Sequence, residues 1–489
     1  MEDNNPDKRG FAPRDAQWRK DLRDAMPARE RTAIPRVEMP HLAPDYRVTN
    51  FEEVNCGLLP EQAVVEATRC LDCPEPSCVT GCPVSINIPG FIKNIERGNI
   101  TEAAEVLRHT SALPAVCGRV CPQEKQCESK CIYNRMKKPP VAIGYLERYA
   151  ADTAAQTDTK LGERPASNGI KIAVCGSGPA GLSFAGEMAA KGFEVTVFEA
   201  LHAIGGVLKY GIPEFRLPNS VVDREIKSLR DLGVEFVVDT VIGKTLTRDD
   251  LLARGYKGIF IASGAGLPRF MGIPGENLIG VMSSNEYLTR INLMGAGRPG
   301  YDTPVFKSRH AAIIGGGNTA MDSARTARRM GAEKVYIVYR RSETEMPARV
   351  EEVIHAKEEG IEFLTLHNPV EYLADDNGRV RAMRLQRMEL GEPDSSGRRS
   401  PIAVEGDITE VDVDMVVVSV GVSPNPLVPD SLPQLEMSPR HTIVVNDATL
   451  QSSIEGLYAG GDIVRGGATV ILAMGDGRKA AQAMAAALA

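Results

Sequence analysis

Ten cysteines carry the first chemical signal in this 489-residue chain, and nine of them lie between Cys56 and Cys131. Eight fall into two groups. Cys70, Cys73, Cys78 and Cys82 are spaced x2, x4, x3 and followed by Pro83. Cys117, Cys121, Cys127 and Cys131 are spaced x3, x5, x3. Thiolates crowded in this way are ligands for zinc or for iron. Zinc sites usually pair two CxxC knuckles, and only one CxxC occurs here, which favours iron–sulfur chemistry. Cys56 and Cys175 stand apart and read as structural. None of the seven histidines shows a metal-ligand spacing.

A second kind of chemistry is written in glycine. Gly176-Ser177-Gly178-Pro179-Ala180-Gly181 follows the apolar run IKIAVC and precedes LSFAGEMAAKG. A G-x-G-x-x-G between strand and helix is the dinucleotide fingerprint, in which bare backbone and a helix N-terminus face a pyrophosphate. Glu199, 23 residues after Gly176, ends the next strand and can accept hydrogen bonds from a ribose diol. Gly205-Gly206 follow it, and far downstream GLYAGGD supplies Gly461 and Asp462. A two-part site suits FAD, with the first unit on the ADP half and the returning segment on the ribityl and flavin. Asp462 reads equally well as an N-cap of the last helix.

The pattern recurs about 140 residues later. Gly315-Gly316-Gly317-Asn318-Thr319-Ala320 is the G-x-G-x-x-A variant, but the strand after it, KVYIVYRR, ends in Arg340 and Arg341. A carboxylate there would repel a 2′-phosphate, whereas guanidinium groups grip one, so this unit is expected to take NADP(H). Two solvated surface arginines are the plain alternative.

The elements that position these residues follow from periodicity. Residues 1–50, rich in Arg, Pro and Asp, read as an extended arm on a partner surface or a disordered tail. Residues 51–155 carry helical spacing threaded by cysteines. Residues 151–169 are poor in apolar side chains and read as a linker. Two β-α-β units follow, giving an α/β fold of two Rossmann-like domains after an α-helical one. The FAD domain is expected at 165–300 and 425–489, the NADP(H) domain at 301–424, and the C-terminus as a helix.

Composition narrows the classes. A net charge of −7 argues against a general nucleic-acid binder. No apolar run reaches the ~20 residues of a membrane span, and nothing near the start reads as a signal peptide. Reduced thiols then place the chain in the cytoplasm rather than in a disulfide-bonded secreted class. A disulfide reductase would need a redox CxxC beside its flavin, and no cysteine follows Cys175.

The first cysteine group resembles the bacterial ferredoxin run CxxCxxCxxxCP stretched by two residues. RCLDCPEPSCVTGCPV, GRVCPQEKQCESKC, AIGYLER, GSGPAGL, GGGNTAMD, YRR and YAGGDIVRG together resemble the small (beta) subunit family of NADPH-dependent glutamate synthase. That family includes the large subunit of the electron-bifurcating NADH-dependent reduced ferredoxin:NADP oxidoreductase and the N-terminal part of dihydropyrimidine dehydrogenase. The likeness runs from about Asn50 to the C-terminus. It implies a disulfide-reductase-like FAD and NADPH pair and two [4Fe–4S] clusters with crossed ligation. One cluster would use Cys70, Cys73, Cys78 and Cys131. The other would use Cys82, Cys121, Cys127 and a non-cysteine ligand at Glu147, which leaves Cys117 over. Ala468, Thr469 and Gly475 would lie beside the flavin. Hydride exchange at the flavin needs no acid or base from the protein, so no catalytic side chain is expected. GCPVSINIPGFIKNI and KKPPVAIGYLERY look more like the bifurcating branch. That branch implies a small FAD, [2Fe–2S] and NAD(H) subunit as partner, with ferredoxin meeting this chain. The glutamate synthase branch implies a glutamate-forming large subunit instead. No cysteine precedes Cys56, so glutamine hydrolysis is not expected here. A non-catalytic assembly subunit is the reading from another class, and the intact motifs at every cofactor site argue against it.

Overall fold

The computed structural model describes residues 11–156, 164–394 and 397–488. The cysteine-bearing region is helical. Its helices begin where sequence punctuates them. Asn87 caps Ile88–Glu96 by accepting from the Gly90 N–H, and Asn99 caps Ile100–Arg108 through the Glu102 N–H. Pro114 opens Pro114–Val120 at a position where its missing N–H costs nothing. Phe91, Ile92, Ile95, Leu107 and Leu146 fill the interior. The last helix of this domain, Ile143–Gln156, continues into the stretch expected as a linker. Ala150, Ala151 and Ala154 are buried there, and alanine is the best helix former. The rest of that linker is partly outside the described residues.

The extended arm or tail expected at 1–50 is not what the described residues 11–50 form. They contain helices Gln17–Ala25, Ala28–Arg31 and Pro44–Arg47. Their arginines are driven into the chain's own body. Arg19 pairs with Asp72, Arg31 with Glu96 at 2.8 Å, and Arg47 with Glu359 at 2.8 Å, all buried. A buried guanidinium is tolerated only when paired, so these contacts tie the segment down. Residues 1–10 lie outside the described residues.

Two parallel five-stranded sheets follow, built alike. The first runs Leu457–Ala459, Tyr256–Ile261, Lys171–Cys175, Glu194–Phe198, Glu235–Val237. The second runs Val281–Ser283, Met415–Val418, His310–Ile314, Lys334–Tyr339, Glu362–Thr365. It takes in a strand ahead of residue 301. Strand interiors such as Ile172-Ala173-Val174 and Val416-Val417-Val418 are fully buried, as sheets covered on both faces require. A three-stranded antiparallel sheet, His367–Ala374, Val380–Pro393 and Arg399–Asp412, stands between the last two strands of the second unit in chain order. The two units do not share a core. The cysteine domain and the first unit form one continuous hydrophobic cluster from Leu58 to Met484, while the second unit has its own around Met321, Ile337 and Val417.

Candidate redox site

The strand Lys171–Cys175 feeds the first glycine loop, and Pro179 starts helix Pro179–Ala189. Two of the glycines there are packing necessities. Gly176 sits at φ 107°, and a Cβ on it would lie 2.4 Å from the Ala262 carbonyl oxygen; one on Gly181 would lie 2.0 Å from that of Gly176. Gly178 differs, because nothing stands within 4 Å of where its Cβ would be. Bare backbone at that point is what a pyrophosphate needs. Glu199 is buried beside it. One of its oxygens accepts from the Ser177 N–H at 2.9 Å and the Ser177 hydroxyl at 2.5 Å, the other from the Leu201 N–H at 2.9 Å. The Ser177 hydroxyl accepts in turn from Gly205 N–H, and Gly206 packs with its own backbone against Gly178.

Asp462 follows Gly461 at the end of strand Leu457–Ala459. It does not cap the last helix, Val470–Leu488, which starts eight residues on. Its Oδ1 is buried with no hydrogen-bond partner. Burial lifts its carboxyl to about 6 despite the opposing Ala468 N–H. An orphaned acceptor beside the glycine loop fits a ribityl hydroxyl. Ala468 and Thr469 lie on the same wall, and Thr469 Oγ1 accepts from Gln126 Nε2 of the cysteine domain at 3.4 Å.

In the second loop Gly315 is again pressed against backbone, since its Cβ would meet the Ser419 carbonyl oxygen at 2.4 Å. Gly317 is open, its nearest neighbour being Pro347 Cγ at 4.0 Å, and Ala320 is buried in helix Asn318–Arg329. The paired arginines separate. Arg340 is exposed at the end of its strand. Arg341 is buried and committed elsewhere: Nε donates to the Arg399 carbonyl at 2.7 Å and Nη2 pairs with Asp394 at 2.6 Å. The structure therefore does not bring Arg341 to a 2′-phosphate. The strand expected to include both arginines ends at Tyr339, and in the bend that follows Arg341 turns to Asp394 and Arg399 while Arg340 stays exposed.

The cysteines gather in two sets. Burial raises the Cys78 thiol well above its usual value, and Cys70, Cys131 and Cys73 raise it further. Burial likewise pushes Cys82 up to about 12, with Glu147 and Cys121 adding to it, and lifts Cys127 in the company of Glu128, Cys82, Glu147 and Cys121. Among the described residues no three His, Cys, Asp or Glu side chains converge as a single-ion site would require. Glu147 is fully enclosed in helix Ile143–Gln156. Its Oε1 has no hydrogen-bond partner, and burial, with Glu225 nearby, lifts its carboxyl to about 8. An acceptor left bare among three thiols fits ligation of a metal cluster. Cys117 is buried beside this set, with its Sγ 3.4 Å from Met474 Sδ of the C-terminal helix. Gly475 lies next along that helix, and a Cβ there would be 3.0 Å from the Pro83 carbonyl oxygen.

One cavity of about 1020 Å³ joins these parts. Gly178, Glu199, Asp462, Ala468 and Thr469 line it from the first unit, Asn318, Thr319 and Asp322 from the second, and Val120 from the cysteine domain. Arg216 bridges the units across its wall, donating to both carboxylate oxygens of Asp322 at 2.7 and 2.6 Å. Sequence reading passed over Asp322, although it sits inside GGGNTAMD, because an aspartate on a helix reads as solvated until its partner is seen. Neither Cys70, Cys73, Cys78 and Cys131 nor Cys82, Cys121, Cys127 and Glu147 line the cavity, and the second set comes nearest it in sequence, through Val120 next to Cys121.

Residues 47–159 match the family described as dihydropyrimidine dehydrogenase domain II, 4Fe–4S cluster, and residues 170–484 match pyridine nucleotide-disulphide oxidoreductase. The glutamate synthase [NADPH] small chain of Azospirillum brasilense is 37% identical over 89% of this chain and 91% of that protein; the one from Escherichia coli is 36% identical over 92% and 96%. The chain belongs to the glutamate synthase small-chain family. The beta subunit of the NADPH-Fe(3+) oxidoreductase of Geobacter sulfurreducens is also similar, at 34% over 85% of this chain and 64% of that one. FprA from Mycobacterium tuberculosis covers 65% of this chain and 84% of its own at a TM-score of 0.55, and at 21% identity that likeness shows the fold alone. As a member of the glutamate synthase small-chain family with both domains matched, the chain is an NADP-dependent flavin iron–sulfur oxidoreductase that binds FAD, NADP(H) and 4Fe–4S iron. Among the described residues no helix is long and apolar enough to cross a membrane.

Proposed function

We propose that this chain is the NADP(H)-handling subunit of a larger cytoplasmic oxidoreductase, and that it joins hydride exchange to single-electron transfer through two [4Fe–4S] clusters. The observation that carries this is the single cavity walled by both glycine-loop units and by the cysteine domain. FAD, when bound, supplies the exchange between a two-electron hydride and single electrons. The residues do the rest by placement. Glu199 accepts from the adenosine ribose, the bare Gly178 backbone and the helix behind it hold the pyrophosphate, and Asp462 takes a ribityl hydroxyl. Asn318, Thr319 and the open Gly317 hold the second dinucleotide, with Arg340 on its 2′-phosphate. Cys82, Cys121, Cys127 and Glu147 would hold the cluster nearer the cavity. Cys70, Cys73, Cys78 and Cys131 would hold the outer one.

For the partner, the residues of GCPVSINIPGFIKNI and KKPPVAIGYLERY support the bifurcating ferredoxin:NADP branch, with a small FAD subunit handling NAD(H). The near full-length likeness to glutamate synthase small chains supports the second reading, delivery of electrons to a glutamate-forming large subunit. Purification from the native source separates them by the size of the chain that comes along. The core proposal is tested by anaerobic titration with NADPH. Bleaching of the flavin band followed by cluster signals in electron paramagnetic resonance is expected; an unbleached flavin in loaded protein overturns it.

A further inference from the structure

The segment Met346–Arg349 lies over the second glycine loop and is fastened at both ends. On the nucleotide side, the Ala348 N–H donates to the Gly316 carbonyl at 3.1 Å, and the Arg349 N–H donates to Asn318 Oδ1 at 2.8 Å. Pro347 stands above the open face of Gly317. On the other side, Lys125 Nζ donates to the Pro347 carbonyl at 2.9 Å and to the Ala348 carbonyl at 3.1 Å. The buried Arg349 guanidinium donates through Nη1 to the Arg119 carbonyl at 2.6 Å. Lys125 lies in the 3-10 turn Gln123–Lys125, between Cys121 and Cys127, and Arg119 is two residues before Cys121. The backbone that covers the nucleotide's phosphate position is thus pinned to the chain segment that presents two thiols of the inner set. The second unit has its own core, and the strap joins it to the cysteine domain alongside Arg47–Glu359 and the bonds of Asn55 and Tyr145 to Glu351.

We propose that Lys125 is a positioning residue for the pyridine nucleotide: through the Met346–Arg349 strap it sets the second glycine loop against the cysteine domain, so that filling the nucleotide site alters the surroundings of the cluster held by Cys82, Cys121, Cys127 and Glu147. This rests on the reading of the second unit as the NADP(H) site. By linkage, whatever the nucleotide does to the cluster, the cluster does to the nucleotide. A passive structural contact would change stability alone, whereas a positioning contact changes affinity and the cluster's spectrum together.

The test uses the loaded protein, reduced with dithionite, and 2′-phospho-ADP-ribose, which carries the dinucleotide's phosphates and no nicotinamide, so no electrons leave. Binding is followed by calorimetry and by the paramagnetic resonance spectrum of the clusters. In the wild type, the ligand is expected to bind and to shift the spectrum. Lys125→Ala removes two charge-assisted bonds at a partly solvated site. It is expected to weaken binding roughly three- to tenfold and to abolish the spectral shift. Lys125→Arg restores both. Lys125 is exposed, so the variants keep their flavin and cluster absorbance. Lys125→Ala with wild-type affinity or an intact spectral shift overturns the strap while leaving the nucleotide site standing. A wild type that binds no ligand overturns the reading of the second unit, and the strap falls with it.

Discussion

The two dinucleotide units share a glycine loop and the order of four of their five strands, the edge strand coming last in chain order in the first and first in the second, yet they are mounted differently. The first is fused to the cysteine domain through one uninterrupted apolar core; the second keeps a core of its own and is held by ion pairs and by the strap over its loop. Their strand ends differ to match. Glu199 is buried and held in place by Ser177 and Leu201, whereas Arg340 is exposed to solvent. A welded site with a buried carboxylate suits a group that is bound once and kept. A site with an exposed cation and hydrogen-bonded fastenings suits a ligand that comes and goes. One fold therefore serves as permanent mount and as exchange port, and what changes is how it is anchored.

That contrast can be broken most severely at a glycine. Gly181→Ala puts a methyl 2.0 Å from a carbonyl oxygen that cannot retreat. It should cost more than about 3 kcal/mol and leave little flavin-loaded protein on purification. In the second unit the position that answers to Gly181 already carries Ala320, and Gly317, the counterpart of the open Gly178, meets nothing nearer than 4.0 Å, so Gly317→Ala is the mild change. Its melting temperature and flavin content should stay at wild-type values while the KM for NADPH rises. Equal damage from both would overturn the reading of Gly181 as a packing glycine and of Gly317 as an open one. Next in size, Arg340→Ala should raise the KM for NADPH roughly ten- to a hundredfold and leave NADH oxidation little changed, as steady-state rates with an artificial acceptor would reveal.

A smaller effect lies in the pH dependence of the flavin-free protein. The folded carboxyl of Asp462 is raised from its ordinary value to about 6 by burial. A raised acid favours the folded state while protonated, so its contribution is complete below about pH 4 and lost as pH climbs through about 6. Thermal melts across that window should fall with pH, and Asp462→Asn should flatten that part of the slope. Smallest of all, Arg341→Ala should cost about 1 kcal/mol of stability by removing its bonds to Asp394 and the Arg399 carbonyl. Nucleotide preference should be untouched; a change in it would return Arg341 to the phosphate site.

What the sequence disclosed and withheld divides along physical lines. The cysteine spacings and both glycine loops were legible because each acts over a few residues, and the strand before and helix after each loop confirm it locally. The exposed-looking arginines of residues 11–50 were misread because their partners are remote: Arg19 finds Asp72, 53 residues away, and Arg47 finds Glu359, 312 away. A charge reads as solvated until the fold delivers its counter-charge. Arg341 follows the same logic: the strand expected to run through it ends at Tyr339, and its partners, Asp394 and the Arg399 carbonyl, lie 53 and 58 residues on, where no local pattern announces them. The strap was not legible because its side chains, Lys125 and Arg349, meet main-chain carbonyls remote in sequence, which no residue type marks.

The edge strand Leu457–Ala459 and the final helix Val470–Leu488 close the first unit, and the helix sets Met474 against Cys117 and Gly475 against Pro83. During synthesis these segments leave the ribosome after the whole of the second unit. The second unit, continuous between residues 281 and 418, is complete while the first still lacks its edge and the wall next to the inner thiols. The order of manufacture is thus the reverse of the order of attachment: the port is finished before the mount, and the inner thiols gain their last wall only with the helix Val470–Leu488.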